Sequence, residues 1–169
     1  MAEGALAVAM RSACGLVAAT AAFQQLCATA DPVVALTHCR WPIWDLREAA
    51  AADVLPIANV WTWEGVCQHE RGWNKSESGS LLLSLYGPPL ADPLNVTLAD
   101  LQNWTALADA IPDQMLALSG DPLPDGSGFY LGLTKVVTLL PPGWIDNTEC
   151  PDEIPPLGIA TYQLHFGIR

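Results

Sequence analysis

The side chains of this 169-residue sequence best suited to chemistry are its three histidines, its five cysteines and one loop rich in carboxylates. His38 and Cys39 are adjacent, and Cys67 and His69 stand two apart, so the pairs could in principle offer four soft ligands to one metal ion. Neither has the spacing of a structural zinc site, and packed or surface positions account for both more simply. Cys14, Cys27, Cys39, Cys67 and Cys150 are odd in number and widely spaced. That pattern is no disulfide framework; it reads as buried free thiols in a reducing compartment. Asp146, Glu149, Asp152 and Glu153 crowd one loop, yet acid–base hydrolysis would need a pocket and a raised pKa. A solvated loop explains that cluster. His165 falls on the wetter side of an alternating strand, where a histidine needs no function. The glycines form no GxGxxG or Walker loop, Lys135 has no glycine-rich neighbour, and there is no G-x-S-x-G elbow. The sequence therefore predicts no enzyme, no cofactor and no metal.

The seven tryptophans say more. Trp104 belongs to a helical stripe and should be core. Trp41, Trp44, Trp73 and Trp144 sit in predicted loops, Trp144 with Ile145 beside it. Burying so many loop tryptophans in one small domain is difficult, and tryptophan is enriched at interface hot spots. These five residues are the expected subunit or partner interface. Composition agrees: charged residues make up 15% and apolar residues 51%, against about 25% charged in ordinary soluble domains. A surface so thin in charge calls for a partner, and self-association is the favoured one. A net charge of −11, with few and scattered basic residues, argues against specific nucleic-acid binding.

The elements that must position these residues follow from periodicity. One domain over residues 1–169 is expected. Residues 12–30 carry no charge, so a spanning helix or a cleaved signal peptide has to be weighed. Gln24, Gln25 and the threonines dilute the run, and a buried Ala-rich helix over Ala5–Cys27 is the better reading, with Asp31-Pro32 stopping it. Within it Leu16, Ala19, Phe23 and Leu26 form one stripe, and Met10, Cys14, Val17 and Ala21 its neighbour. Val33–Cys39 reads as a short strand, and Asp45–Asp53 as a helical turn.

A strand carrying Ile57, Asn59, Trp61 and Trp63 on one side should pair antiparallel with "GSLLLSLYG", joined by the loop "NKSES". A second helix begins at Thr97, with Asp100 completing a capping box. Its stripe is Leu101, Trp104, Ala108, Ile111, Met115 and Leu118, with a kink expected from Pro112 near Ala108 and an end at Ser119-Gly120. The strands "FYLGLTKVVTLL" and "IATYQLHFGIR" complete the pattern. In the latter, Ala160, Tyr162, Leu164 and Phe166 alternate with Thr161, Gln163 and His165, as in a strand with one buried face tied into a sheet. The expected class is α+β: an antiparallel sheet of about four to five strands packed against two main helices. The sequons at Asn74, Asn95 and Asn103 are read as coincidence, since Asn103 lies inside the predicted helix.

In element order the sequence resembles the tail terminator (tail-completion) proteins of long-tailed bacteriophages and, more loosely, the small neck or connector proteins. The resemblance runs through the Ala-rich helix ending near "AAFQQLC", the strands "IANVWTWEG" and "GSLLLSLYG", and the helix ending in "MLALSG". It continues through "FYLGLTKVVTL" and "GIATYQLHFGIR". It implies a virion protein, assembled in the bacterial host cytoplasm, that forms a ring, usually a hexamer, at the head-proximal end of the tail. Such a ring stops tail-tube polymerisation and joins tail to head. The implied partners are other copies of the chain, the tail tube protein and neck proteins; genome DNA passes through without specific binding, and no membrane is involved. Three alternatives remain: a head-completion protein of the neck, a secreted or periplasmic binding module, and a small hydrolase using histidines and loop acids.

Overall fold

The computed structural model describes residues 5–40, 55–61, 78–90, 95–119, 129–134 and 156–168. In chain order the elements are α1 (Ala5–Ala19), α2 (Ala21–Leu26), α3 (Pro32–Leu36), β1 (Cys39–Arg40) and β2 (Ile57–Trp61). They continue with β3 (Ser78–Tyr86), α4 (Leu98–Ser119), β4 (Phe129–Thr134) and β5 (Ile159–Ile168). The strands form one sheet in the order β1-β2-β3-β5-β4. β2–β3, β3–β5 and β5–β4 are antiparallel, but β1 runs parallel to β2, with Cys39 opposite Ala58 and Arg40 opposite Asn59. The fold is α+β as expected; the sheet is mixed rather than antiparallel. The connection from Arg40 to Ile57 has the length that a parallel crossover needs.

Strict alternation decides which face of the sheet is buried. Ala160, Tyr162, Leu164 and Phe166 of β5 are buried, whereas Ile159, Thr161, Gln163 and His165 are half-buried. Leu81, Leu83 and Leu85 of β3 join Ala58 and Val60 of β2 on the same buried face. Met10, Cys14 and Val17 of α1, Phe23 of α2, and Trp104, Ala108, Ile111 and Met115 of α4 complete this core. Each fully buried Leu or Phe contributes about 1.5–3 kcal/mol. β5 lies between β3 and β4, which accounts for its regularity: both of its edges are paired.

The single helix expected over Ala5–Cys27 is two. Thr20 leaves helical geometry (ψ 135°) and caps α2, accepting from the Phe23 N–H, while its hydroxyl donates to the Val17 carbonyl at 2.7 Å. One side chain thus serves the end of one helix and the start of the next. Gln114 of α4 adds a tertiary cap, its Oε1 accepting from the Ala22 N–H at 3.0 Å. Because the helix breaks, Ala19 and Ala21 of the expected stripes are exposed. α2 then stops through a Schellman pair, Thr29 N–H to Gln24 O and Ala28 N–H to Gln25 O, with Ala28 at φ 51° where glycine is usual.

The strand expected at Val33–Cys39 is helix α3 followed by the two-residue β1. Asp31 accepts from the Val33 N–H at 2.8 Å and Pro32 occupies the first turn, so this dipeptide begins a helix instead of ending one.

α4 begins as expected. The Thr97 N–H donates to Asp100 Oδ2 at 3.0 Å and the Asp100 N–H donates to Thr97 Oγ1 at 3.2 Å, the reciprocal bonds of a capping box. The Thr97 hydroxyl and N–H hold the Asp100 carboxyl below its ordinary pKa. The helix continues through Pro112 without interruption. Pro112 has no N–H for the Ala108 carbonyl, which is four residues earlier. The buried Tyr162 hydroxyl takes that place, donating to Ala108 O at 2.7 Å. Burial, then the Asp109 and Asp113 carboxylates, raise the Tyr162 pKa, so the donor keeps its proton. Of the expected stripe, Trp104, Ala108, Ile111 and Met115 are buried, Leu101 is half-buried and Leu118 is exposed.

Beyond the sheet, Gly87 N–H donates to Gly158 O at 2.9 Å and Leu157 N–H to Pro88 O at 2.8 Å. The Trp104 indole packs against both glycines of this link. A Cβ on Gly158 would stand 2.9 Å from its Cδ1, so only glycine fits.

Candidate functional site

The sheet face turned away from the core collects the described polar side chains that could do chemistry. In-register pairing sets Arg40, Asn59, Ser84 and Thr161 in one row across four strands. The Trp61 indole N–H donates to Ser84 Oγ at 3.1 Å, and Ser84 Oγ shares a hydrogen bond with Thr161 Oγ1, also at 3.1 Å. Four residues along β3, Ser80 Oγ meets His165 Nδ1 at 3.0 Å. Ile57, Tyr86 and Leu55, with Ile159 against them, form a small apolar cluster at one end of this face. Burial pushes the Tyr86 pKa up to about 12.

Within that row Asn59 is 1% exposed, and among the described residues neither its Nδ2 nor its Oδ1 has a hydrogen-bond partner. A buried amide left unpaired costs free energy, on the order of 1–3 kcal/mol by mutational measures. Ser80 and His165 have the composition of a nucleophile and a base. Acyl transfer would also demand an oxyanion hole and an orienting group for the imidazole. A Ser–His contact between residues in register is what the antiparallel pairing itself produces, and it gives His165 the structural partner that the sequence did not reveal.

On the opposite face, three free thiols approach one another where α1, α2 and β1 meet. Cys14 is buried, while Cys27 and Cys39 are half-buried. Burial pushes the Cys27 thiol up to about 12. A hydrogen bond to the Cys14 side chain and burial raise Cys39, so neither Cys27 nor Cys39 is a ready nucleophile. His38, adjacent to Cys39, turns elsewhere: its Nδ1 donates to the Pro56 carbonyl at 2.8 Å and ties the α3–β1 corner to β2. Among the described residues no group of three or more His, Cys, Asp or Glu is placed to hold a metal.

A third feature is a cleft of about 300 Å³ beside the start of α4, walled by Pro88, Pro89, Leu90, Val96 and Leu157. Exposed apolar side chains lie on two helices: Val33 (71%), Val34 and Leu36 of α3, and Leu98 (70%), Leu116 and Leu118 of α4.

The expected interface residues Trp41, Trp44, Trp73, Trp144 and Ile145 all lie outside the described residues. So do Cys67 and His69 of the weighed metal pairs, the carboxylates Asp146, Glu149, Asp152 and Glu153, and the "NKSE" of the hairpin loop. Among the described residues no helix is long and apolar enough to cross a membrane. The chain matches no family model, no characterised protein and no solved structure.

Proposed function

We propose that this chain is a structural virion subunit that assembles into a ring at the head-proximal end of a long phage tail, stops tube polymerisation there and joins tail to head. The observation that carries this reading is the exposed apolar surface of α3. This helix buries only Ala35 and turns Val33, Val34 and Leu36 to solvent, in a chain with 15% charged residues. Such surface is costly in water and is removed when a neighbour covers it. A closed ring is a heterologous contact whose rotation closes, so this patch on each subunit meets a different, complementary surface on the next one, and a single kind of interface is repeated around the ring. The acidic charge of −11 suits a conduit that DNA must pass without sticking.

Light scattering and negative-stain imaging of the purified chain over a wide concentration range test the proposal, together with addition to polymerising tail tubes. Rings that cap tube growth are expected, and Val33→Asp combined with Val34→Asp should leave folded monomers. A wild-type chain that stays monomeric at every concentration and leaves tube length unchanged overturns the reading. Rings that bind the head and ignore the tube would assign the chain to the neck instead.

A further inference from the structure

The thiols of Cys14 and Cys39 bring together two elements that share little sequence. Cys14 sits on the core side of α1 at 2% exposure, and Cys39 pairs with the buried Ala58 in the first register position of β1. The Cys39 thiol donates to the Cys14 carbonyl oxygen at 3.6 Å, which holds its sulfur against residue 14 of α1. A disulfide needs the two sulfurs ~2.05 Å apart, and Cys39 Sγ already lies against the residue that carries the other one. Cys39 is half-buried, which gives an oxidant a line of approach, and Cys14 stands behind it as the resolving thiol.

We propose that Cys14 and Cys39 are a redox-convertible pair that closes into a disulfide joining α1 to β1. With glutathione disulfide as oxidant, the Cys39 thiolate attacks one of its sulfurs and expels a glutathione thiolate. The Cys14 thiolate then attacks Cys39 Sγ and expels the second. The protein loses two protons and two electrons, and one glutathione disulfide becomes two glutathiones. Because the neighbouring Cys14 side chain, then burial, push the Cys39 thiol up, closure is slow at neutral pH and faster in alkali. It answers sustained oxidation rather than a brief pulse. The bridge encloses α2 and α3 in one covalent loop and lowers the entropy of the unfolded chain. This inference is independent of the proposed ring.

The test treats the full chain with glutathione disulfide under native, mildly alkaline conditions, followed by intact mass and non-reducing peptide mapping. The expected product has lost about 2 Da in a peptide pair cross-linked through Cys14 and Cys39. Its melting temperature should rise by several degrees, and the rise should reverse on reduction. Cys39→Ser should abolish both changes, while Cys27→Ser should keep them. Three results would overturn the proposal: both thiols remaining reduced while a model dithiol in the same buffer is oxidised, glutathione staying attached to Cys39 without closure, or pairing through Cys27, Cys67 or Cys150 instead.

Discussion

Removing one oxygen atom from Tyr162 isolates the bond that repairs α4. Tyr162→Phe leaves the Ala108 carbonyl buried and unserved by Pro112, and should cost about 1–3 kcal/mol. In a Pro112→Ala background, residue 112 regains an N–H aimed at that carbonyl, so the same change should cost clearly less. Urea melts of the four variants measure the coupling; equal costs in the two backgrounds would show that the hydroxyl does not compensate for the proline. Asp100 gives a pH-dependent counterpart. Its folded pKa lies below the unfolded value, so its contribution is present above the unfolded pKa and is lost as pH falls through the folded one. Asp100→Asn should therefore lower stability at neutral pH and flatten the acid limb of the stability profile. An unchanged profile would mean that the Thr97–Asp100 box forms equally in the unfolded chain.

At the scale of elements, β5 invites a paired comparison. Phe166→Ala removes a buried ring and should cost about 3–5 kcal/mol, a large part of an ordinary total of about 5–15. His165→Ala deletes the bond to Ser80 on the half-buried face, so a smaller loss of about 1 kcal/mol is expected. Equal losses in denaturant melts would mean that both faces are core. The two-face alternation of β3 and β5 was legible because period-two patterning depends only on the pleat, and the Thr97 box because a cap is local. The Thr20 joint was hidden, since one threonine among alanines differs from helix interior only through the conformation it adopts. Asp31-Pro32 was visible but ambiguous: the same dipeptide stops a preceding helix and starts a following one, and the β-branched Val33 and Val34 tilted the reading toward strand. The parallel β1–β2 pair, Ser80–His165 and Cys14–Cys39 arise from tertiary placement that no local pattern encodes. The loop tryptophans expected to form an interface lie outside the described residues; among those described, the large exposed apolar side chains belong to α3 and α4.

Among the described residues, apolar content is shared between a main core, a small cluster on the other sheet face and exposed side chains such as Val33 and Leu98. Sheet order adds a consequence during synthesis. β3 is flanked by β2 and β5, yet its register partners from Ile159 onward follow it by about seventy residues, which a ribosome adds in roughly 4–14 s at 5–20 residues per second. Through that interval Leu81, Leu83 and Leu85 have β2 beside them but no β5, and the carbonyl of Ala108 has no Tyr162. The nascent chain should therefore carry a sticky, half-paired sheet edge and depend on a holding chaperone. Arrested chains ending before residue 159 should crosslink to ribosome-associated chaperones and resist release, whereas arrested chains with β5 clear of the exit tunnel should let go. Equal release from both would mean that the earlier strands close without it.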